Sequence, residues 1–382
     1  MGVVLRKRSV LIVMGTRPEA VKLVPVAREL RRRRHLRPVL LFTGQHVELL
    51  RDALAEQDLR LSVNHLAEIG GRAVGGLPGR LLVVMRRAID RVRPSAIVVQ
   101  GDTMSTFTGA MAGFLDRIPV LHVEAGLRSG DVTQPFPEEA LRRALVPFVT
   151  FHAAPTPGAR RNLLKENCRA GGIRVVGNTV VDALYYNLRF ESRLRKRARR
   201  EGVEGLVDQL SGKRIILMTG HRRESFDGGL ASICRAVRRI SSTFSDVEII
   251  FPVHLNPRVR EIVYRELRDS PRVHLIRPLS YPAFLWVLQH SHLALTDSGG
   301  IQEEAPYLGK PVIVARNLTE RPEAVECGSA QLAGHDANRV FRMVSDLLTS
   351  RAAYVRRSRP RRPFGDGHAS ERIVSWLEAE LL

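Results

Sequence analysis

Six apolar runs in this 382-residue chain each end in residues that can hold an anion or move a proton. Residues 10–14 lead into Gly15-Thr16-Arg17-Pro18-Glu19-Ala20, and residues 96–99 into Gln100-Gly101-Asp102-Thr103. Residues 120–123 lead into Glu124-Ala125-Gly126-Leu127-Arg128, and 215–219 into Gly220-His221-Arg222-Arg223-Glu224-Ser225. Residues 251–253 end at His254, and 293–296 at Asp297-Ser298-Gly299-Gly300-Ile301-Gln302-Glu303-Glu304. If the runs are strands of an open parallel sheet, their carboxyl ends are where ligands bind. At Ser298-Gly299-Gly300 the two glycines let backbone approach a ligand closely. A helix expected from Ile301 would aim free N–H groups at an anion such as a diphosphate. Glu304, one turn further, can reach ribose hydroxyls. An ordinary strand-to-helix turn with an acidic first turn accounts for the same residues equally well. Arg17 and Lys22 on the first turn and helix, with His221, Arg222 and Arg223, offer cations for a pyrophosphate. Asp102, Glu124 and Glu138 are the candidate acids and bases, since carboxylates in one cleft can have their pKa values driven apart. Glu138 follows the stiff Pro135-Phe136-Pro137, although Pro-Glu-Glu is also a plain helix start. Asp102 suits equally a cap for a helix over 105–114.

The elements that must position these residues alternate. Short strands are expected at 10–14, 39–43, 96–99, 120–123 and 151–153. Helices fall at 20–33, where Val21, Val24, Ala27 and Leu30 recur at helical spacing, and at 81–92, 105–114 and 138–145. A charged helical stretch covers 189–208. Strands then resume at 214–219, 247–253, 273–276, 293–296 and 311–315, with helices near 230–244, 281–290 and 301–308. Apolar strands alternating with amphipathic helices predict parallel sheets covered on both faces. The fold class is therefore α/β, with two Rossmann-like doubly wound domains, 1–185 and 186–365. Residues 366–382 form a terminal helix expected to pack back on the first domain.

Composition limits the alternatives. The formal net charge is +21, which invites a nucleic-acid reading. Yet only six of the 60 basic residues are lysines, and the arginines are spread along the chain without interleaved aromatics. The clusters at 31–34 and 193–200 read as solvated helix faces. No specific nucleic-acid partner is expected, although a basic surface helps recruit an anionic substrate. No run approaches the ~20 apolar residues that span a bilayer, so no membrane association is expected. Three scattered cysteines (168, 234 and 327) point to neither a disulfide framework nor a zinc site, and to a cytoplasmic location. No G-x-G-x-x-G follows the first strand, and neither a P-loop nor H-E-x-x-H is present, so no cofactor and no metal are expected.

Taken in order, the blocks resemble the bacterial non-hydrolysing UDP-N-acetylglucosamine 2-epimerases over nearly the whole chain. The matching stretches include Gly15-Thr16-Arg17-Pro18-Glu19-Ala20-Val21-Lys22, Thr43-Gly44-Gln45-His46, Gly101-Asp102-Thr103 and His122-Val123-Glu124-Ala125-Gly126-Leu127-Arg128. They continue with Gly177-Asn178-Thr179, Thr219-Gly220-His221-Arg222-Arg223-Glu224-Ser225, Pro252-Val253-His254, Asp297-Ser298-Gly299-Gly300 through Glu304, and Thr319-Glu320-Arg321-Pro322-Glu323-Ala324. The resemblance implies a glycosyltransferase-B type fold with the active site in the interdomain cleft, and a homodimer. It implies interconversion of UDP-GlcNAc and UDP-ManNAc through UDP elimination and a 2-acetamidoglucal intermediate, in the service of cell-envelope polysaccharide synthesis. By the same resemblance Asp102, Glu124, Glu138, His221 and Lys22 are catalytic. Arg17, Ser298, Gly299, Gly300, Glu304 and Arg142 hold substrate.

Departures from the family pattern are local. Met104-Ser105-Thr106 stands where threonines usually run, and Leu141 replaces a usual asparagine. Several members bind a second, activating UDP-GlcNAc, and Gln45, Arg222 and His254 match parts of that site. Glu48 replaces a usual glutamine there, and residues 70–80 are unmatched, so activation is expected to be weak or lost. Two readings compete on the same fold: a hydrolysing epimerase that releases UDP and ManNAc, and a glycosyltransferase that moves the sugar to an acceptor.

Overall fold

The structure, a computed structural model, describes residues 7–43, 63–66, 76–222 and 225–382. The chain divides into two compact units, Met1–Tyr186 with Phe364–Leu382, and Asn187–Pro363.

The first unit is built on seven parallel strands: β1 (Arg8–Met14), β2 (Leu36–Phe42), β3 (Val63–Leu66), β4 (Ala96–Gln100), β5 (Val120–Val123), β6 (Phe151–Ala154) and β7 (Ile173–Val175). Their order is β3-β2-β1-β4-β5-β6-β7. The winding therefore runs outward from β1 in one direction and restarts at β4 in the other. The carboxyl ends of β1 and β4 flank this switch point. From Ser9 to Met14 every residue of β1 is buried, as a strand covered on both faces requires. Val10, Ile12 and Met14 enter one core, and Leu11 and Val13 the other. The helix Arg17–Arg32 starts at Thr16 with a reciprocal capping box to Glu19 and a proline in its first turn. It lays Leu23, Val24, Ala27 and Leu30 on the first core. The helix Ala369–Leu381 adds Ile373, Val374, Leu377 and Leu381 to that core. Its first N–H groups, on Ala369 and Ser370, donate to Asp182.

The second unit has six parallel strands: β8 (Arg214–Thr219), β9 (Val247–Pro252), β10 (Val273–Ile276), β11 (Leu293–Thr296), β12 (Val312–Val314) and β13 (Ala330–Leu332). Their order, β10-β9-β8-β11-β12-β13, repeats the winding of the first unit, with β8 and β11 at the switch point.

Some elements depart from the sequence expectation. Strands β3, β7 and β13, three or four residues long, were not expected. Among the described residues six helices, Pro157–Lys165, Thr179–Leu188, Pro257–Leu267, Pro322–Glu326, Ala337–Thr349 and Arg351–Arg357, were not expected. Of these, Pro257–Leu267 had every cue: an Asn256 cap, a first-turn proline, and Val259, Ile262, Val263 and Leu267 buried at helical spacing. The helix expected from Ile301 begins two residues earlier, at Gly299, and after Glu304 tightens into the 3₁₀ turn Ala305–Leu308. Among the described residues no helix is long and apolar enough to cross a membrane.

Candidate functional site

In the first unit the β4–β5 register pairs Gln100 with Val123, which puts Asp102 and Glu124 just past neighbouring strand ends. Glu124 is buried and adopts a left-handed backbone, φ +67°. A residue with a side chain rarely holds that conformation unless its surroundings enforce it, and such sites concentrate where function needs them. Two donors meet its Oε2: the buried Lys22 ammonium, from one turn into the first helix, and Asn178 Nδ2 at 3.0 Å. Asn178 in turn accepts the Val180 N–H on Oδ1 and donates its backbone N–H to Phe364. Its position is thereby set from three sides.

Asp102 does not cap the following helix. Thr103 does, accepting the Thr106 N–H, and this frees the Asp102 carboxylate to accept Arg142 Nη1 at 2.7 Å. Arg142 is buried, and its Nε donates to the fully buried Glu139 at 3.0 Å. Glu138 stands at the first position of the same short helix, Glu138–Ala144, half-buried. The helix that presents Glu138 is therefore tied to Asp102 one turn later. Beneath these groups His122 Nε2 meets the Gly101 carbonyl at 2.8 Å. Burial lowers the His122 imidazole to about 4, so it is neutral and donates through Nε2. Burial also lowers its strand neighbour His152, to about 3. Arg17, in the first helical turn, is partly exposed.

In the second unit Asp297, at the end of β11, reaches the end of β8. Its Oδ2 accepts the backbone N–H groups of His221 at 2.7 Å and Arg222 at 2.8 Å. Its Oδ1 lies 3.2 Å from His221 Nδ1. Burial alone would raise this carboxyl, but the imidazole and the backbone donors outweigh it and hold Asp297 at about 2. With Nδ1 turned to Asp297, Nε2 is the nitrogen that His221 offers a ligand. The His254 ring stacks on His221, centroids 5.5 Å apart. Gln45, the third residue assigned to a second nucleotide-sugar site, lies outside the described residues.

The glycine turn is shaped from below. Ser298 opens the helix without a side-chain cap bond, so the first-turn N–H groups are not consumed by it. A Cβ at Gly299 would stand 2.4 Å from Arg321 Nη1. Only glycine lets that guanidinium lie against the turn. Arg321 Nε donates to Glu303 at 2.7 Å, and its Nη1 also bonds Glu320. Glu320 pairs with Arg316 at 2.8 Å and lies 3.7 Å from Arg222. Arg316, Arg321, Glu303 and Glu320 thus form a buried network behind the turn, with the partly exposed Arg222 at its edge. Glu304 is buried beside Tyr281, whose phenol burial and the Glu304 charge together raise well above its ordinary value.

Sequence reasoning named Arg222, Arg142 and the glycines, gave Asp297 only as a strand-end residue without a role, and did not single out Asn178, Arg316, Glu320 or Arg321. Arg321 and Glu320 lay within a matched block; nothing local set Arg316 apart from the many other arginines. Among the described residues no cluster of His, Cys, Asp or Glu is grouped to hold a metal ion.

Two Rossmann-like doubly wound α/β units of one winding give a fold of the glycosyltransferase-B type. Residues 28–378 match the family model described as UDP-N-acetylglucosamine 2-epimerase. The chain is similar to the UDP-N-acetylglucosamine 2-epimerase of Escherichia coli, 42% identical over 97% of this chain and 98% of that one. It is 41% identical to the Bacillus subtilis enzyme of the same name, covering 98% and 96%. The crystal structure of the Neisseria meningitidis UDP-GlcNAc 2-epimerase bound to UDP-GlcNAc superposes with a TM-score of 0.91 at 34% identity, over 97% of this chain and all of that one. The chain belongs to the UDP-N-acetylglucosamine 2-epimerase family.

Proposed function

We propose that this protein interconverts UDP-GlcNAc and UDP-ManNAc without hydrolysis, by eliminating and re-adding UDP. A base removes the hydrogen on carbon 2, the C–H electron pair becomes the C1–C2 double bond of 2-acetamidoglucal, and the C1–O pair leaves with UDP. In the return step carbon 2 receives a proton on its opposite face, and UDP oxygen rejoins carbon 1. Nothing is oxidised or reduced overall, so the scheme calls for no redox cofactor.

Asp102, Glu124 and Glu138 share the proton transfers, with Lys22 and Asn178 fixing Glu124 and Arg142 fixing Asp102. His221, oriented by Asp297, offers Nε2 to the departing diphosphate. The Ser298–Gly300 turn and Arg17 bind the diphosphate, and Glu304 binds the ribose. The observation that carries this reading is Glu124: a buried carboxylate in a left-handed backbone, gripped by an ammonium and an amide at a strand end. An acid or base held this firmly loses little to reorganisation during transfer.

Incubating UDP-GlcNAc with the protein in deuterium oxide tests the scheme. The expected products are UDP-ManNAc and recovered UDP-GlcNAc, both deuterated at carbon 2. Accumulation of free ManNAc with stoichiometric UDP would make the enzyme hydrolysing. Epimerisation without deuterium incorporation would sink proton transfer through solvent-exchanging groups.

A further inference from the structure

The buried carboxylate of Glu19 does more than a helix start requires. A capping box needs one bond from Glu19 to the Thr16 N–H, at 2.5 Å here. The same Oε2 also accepts the Gly15 N–H at 2.9 Å, while Oε1 crosses to the next strand end, accepts the Thr103 hydroxyl at 2.7 Å and lies 3.1 Å from that of Thr106, which also donates to the Gln100 carbonyl at 2.6 Å. All these partners are neutral, and the residue is only 2% exposed. Burying a carboxylate in this way is costly, and burial indeed raises its pKa. An exposed serine or aspartate caps a helix without that cost. On the far side of Asp102, His122 Nε2 holds the Gly101 carbonyl at 2.8 Å. Gly101 takes a left-handed turn, φ +75°, between these two anchors.

We propose that Glu19 and His122 are positioning residues that clamp the loop on both sides of Asp102, Glu19 through Thr103 and His122 through Gly101. The clamp sets the Asp102 carboxylate against Arg142 and fixes the ends of β1 and β4 to each other at the switch point. The catalytic consequence rests on the proton-transfer role given to Asp102 above; the clamp itself does not.

Two measurements separate these claims. Amide hydrogen exchange over residues 101–107 reads the clamp directly. Glu19→Ala should lose protection there. Glu19→Gln should keep it, because its oxygen can face the two backbone N–H groups while its amide donates to the two hydroxyls, which rotate to accept. Unchanged protection in Glu19→Ala would overturn the clamp. A double-mutant cycle in kcat reads the link to Asp102. Glu19→Ala should lower kcat about 10- to 100-fold, as a misplaced group does, and Glu19→Gln should stay within about threefold of wild type. In an Asp102→Asn background Glu19→Ala should cost almost nothing more, since residues acting through one group are not additive. An undiminished loss in that background would overturn action through Asp102. Near-normal turnover of Asp102→Asn itself would instead remove the role of Asp102, while the exchange result still decides the clamp.

Discussion

The first unit closes its switch point with Glu19, which leaves β1 and grips the β4 side; the second closes its own with Asp297, which leaves β11 and grips the β8 side. Topologically the two carboxylates do the same work, since each ties the central strand to the strand where the winding restarts. Electrostatically they are opposites. Glu19 meets only backbone N–H groups and hydroxyls, so burial prevails and its pKa rises. Asp297 meets backbone N–H groups and an imidazole, and its pKa falls to about 2. Around them the first unit sets Asp102 and Glu139 against Arg142 and Glu124 against Lys22, and the second sets Arg316 and Arg321 against Glu320 and Glu303. Under the proposed function one repeated winding serves two kinds of chemistry, proton transfer on one unit and anion binding on the other, and the side chains at the strand ends make the difference.

The sharpest way to break this division is to neutralise the first-unit carboxylates. Asp102→Asn, Glu124→Gln and Glu138→Gln should each lower turnover ~10²–10⁴-fold, the usual loss for a positioned acid or base. Calorimetric titration should show UDP affinity within a few-fold of wild type for all three. Near-normal turnover in all three would dissolve the comparison.

A second-unit change should fail the other way. Gly299→Ala drives a methyl into the Arg321 guanidinium, so either the turn or the arginine must move. We expect UDP affinity to fall about tenfold or more, the scale of one lost charge-assisted hydrogen bond, with a smaller effect on kcat at saturation. Glu304→Gln should weaken UDP in the same direction but less. A loss confined to kcat would place the turn outside nucleotide binding.

Stability against pH sharpens the electrostatic half of the contrast. Asp297 has a folded pKa of about 2, below its ordinary 3.8, so its contribution is present above pH 3.8 and lost as pH falls toward 2. At 1.36 kcal/mol per pKa unit the contribution is about 2 kcal/mol. Asp297→Asn should lose it at neutral pH and show a flatter acid limb in denaturant melts from about pH 5 down to 2. An acid limb as steep as wild type would contradict the assignment.

Glu19 should give the smallest effect, and of the opposite sign. Its folded pKa is raised, so its favourable contribution is present below the ordinary 4.5 and lost as pH rises through the folded value. Melts of Glu19→Gln should therefore gain on wild type as pH rises from 4 toward neutrality. A variant that instead loses ground to wild type over that range would mean that the ionised form is the one the fold prefers.

Much of this arrangement was legible beforehand. Apolar runs such as β1 and β8 declare themselves because a strand covered on both faces must be apolar throughout, and the glycine and charge at their ends mark where the chain leaves the sheet. The start of the helix at Gly299 was misplaced because glycine is a poor helix former, and propensity alone argues for a later start. Whether Asp102 is a site residue or a helix cap stayed open because an aspartate after a strand suits both roles, and only the tertiary structure shows Thr103 taking the cap and Asp102 meeting Arg142.

From the sequence alone came the alternation of elements, the strand ends that carry chemistry and the residue types available there, since these depend on local periodicity and turn chemistry. The tertiary structure alone decided the partners. Asn178 meets Glu124 across 54 residues, Arg142 meets Asp102 across 40, and Thr103 meets Glu19 across 84. Such pairs exist only once β4 has docked beside β1, and β5 beside β4. Strand order is set by how whole layers bury their apolar faces, which no local pattern of residues encodes. The left-handed backbone of Glu124 belongs with them: a glutamate does not prefer it, and the bonds from Lys22 and Asn178 that accompany it come from distant parts of the chain.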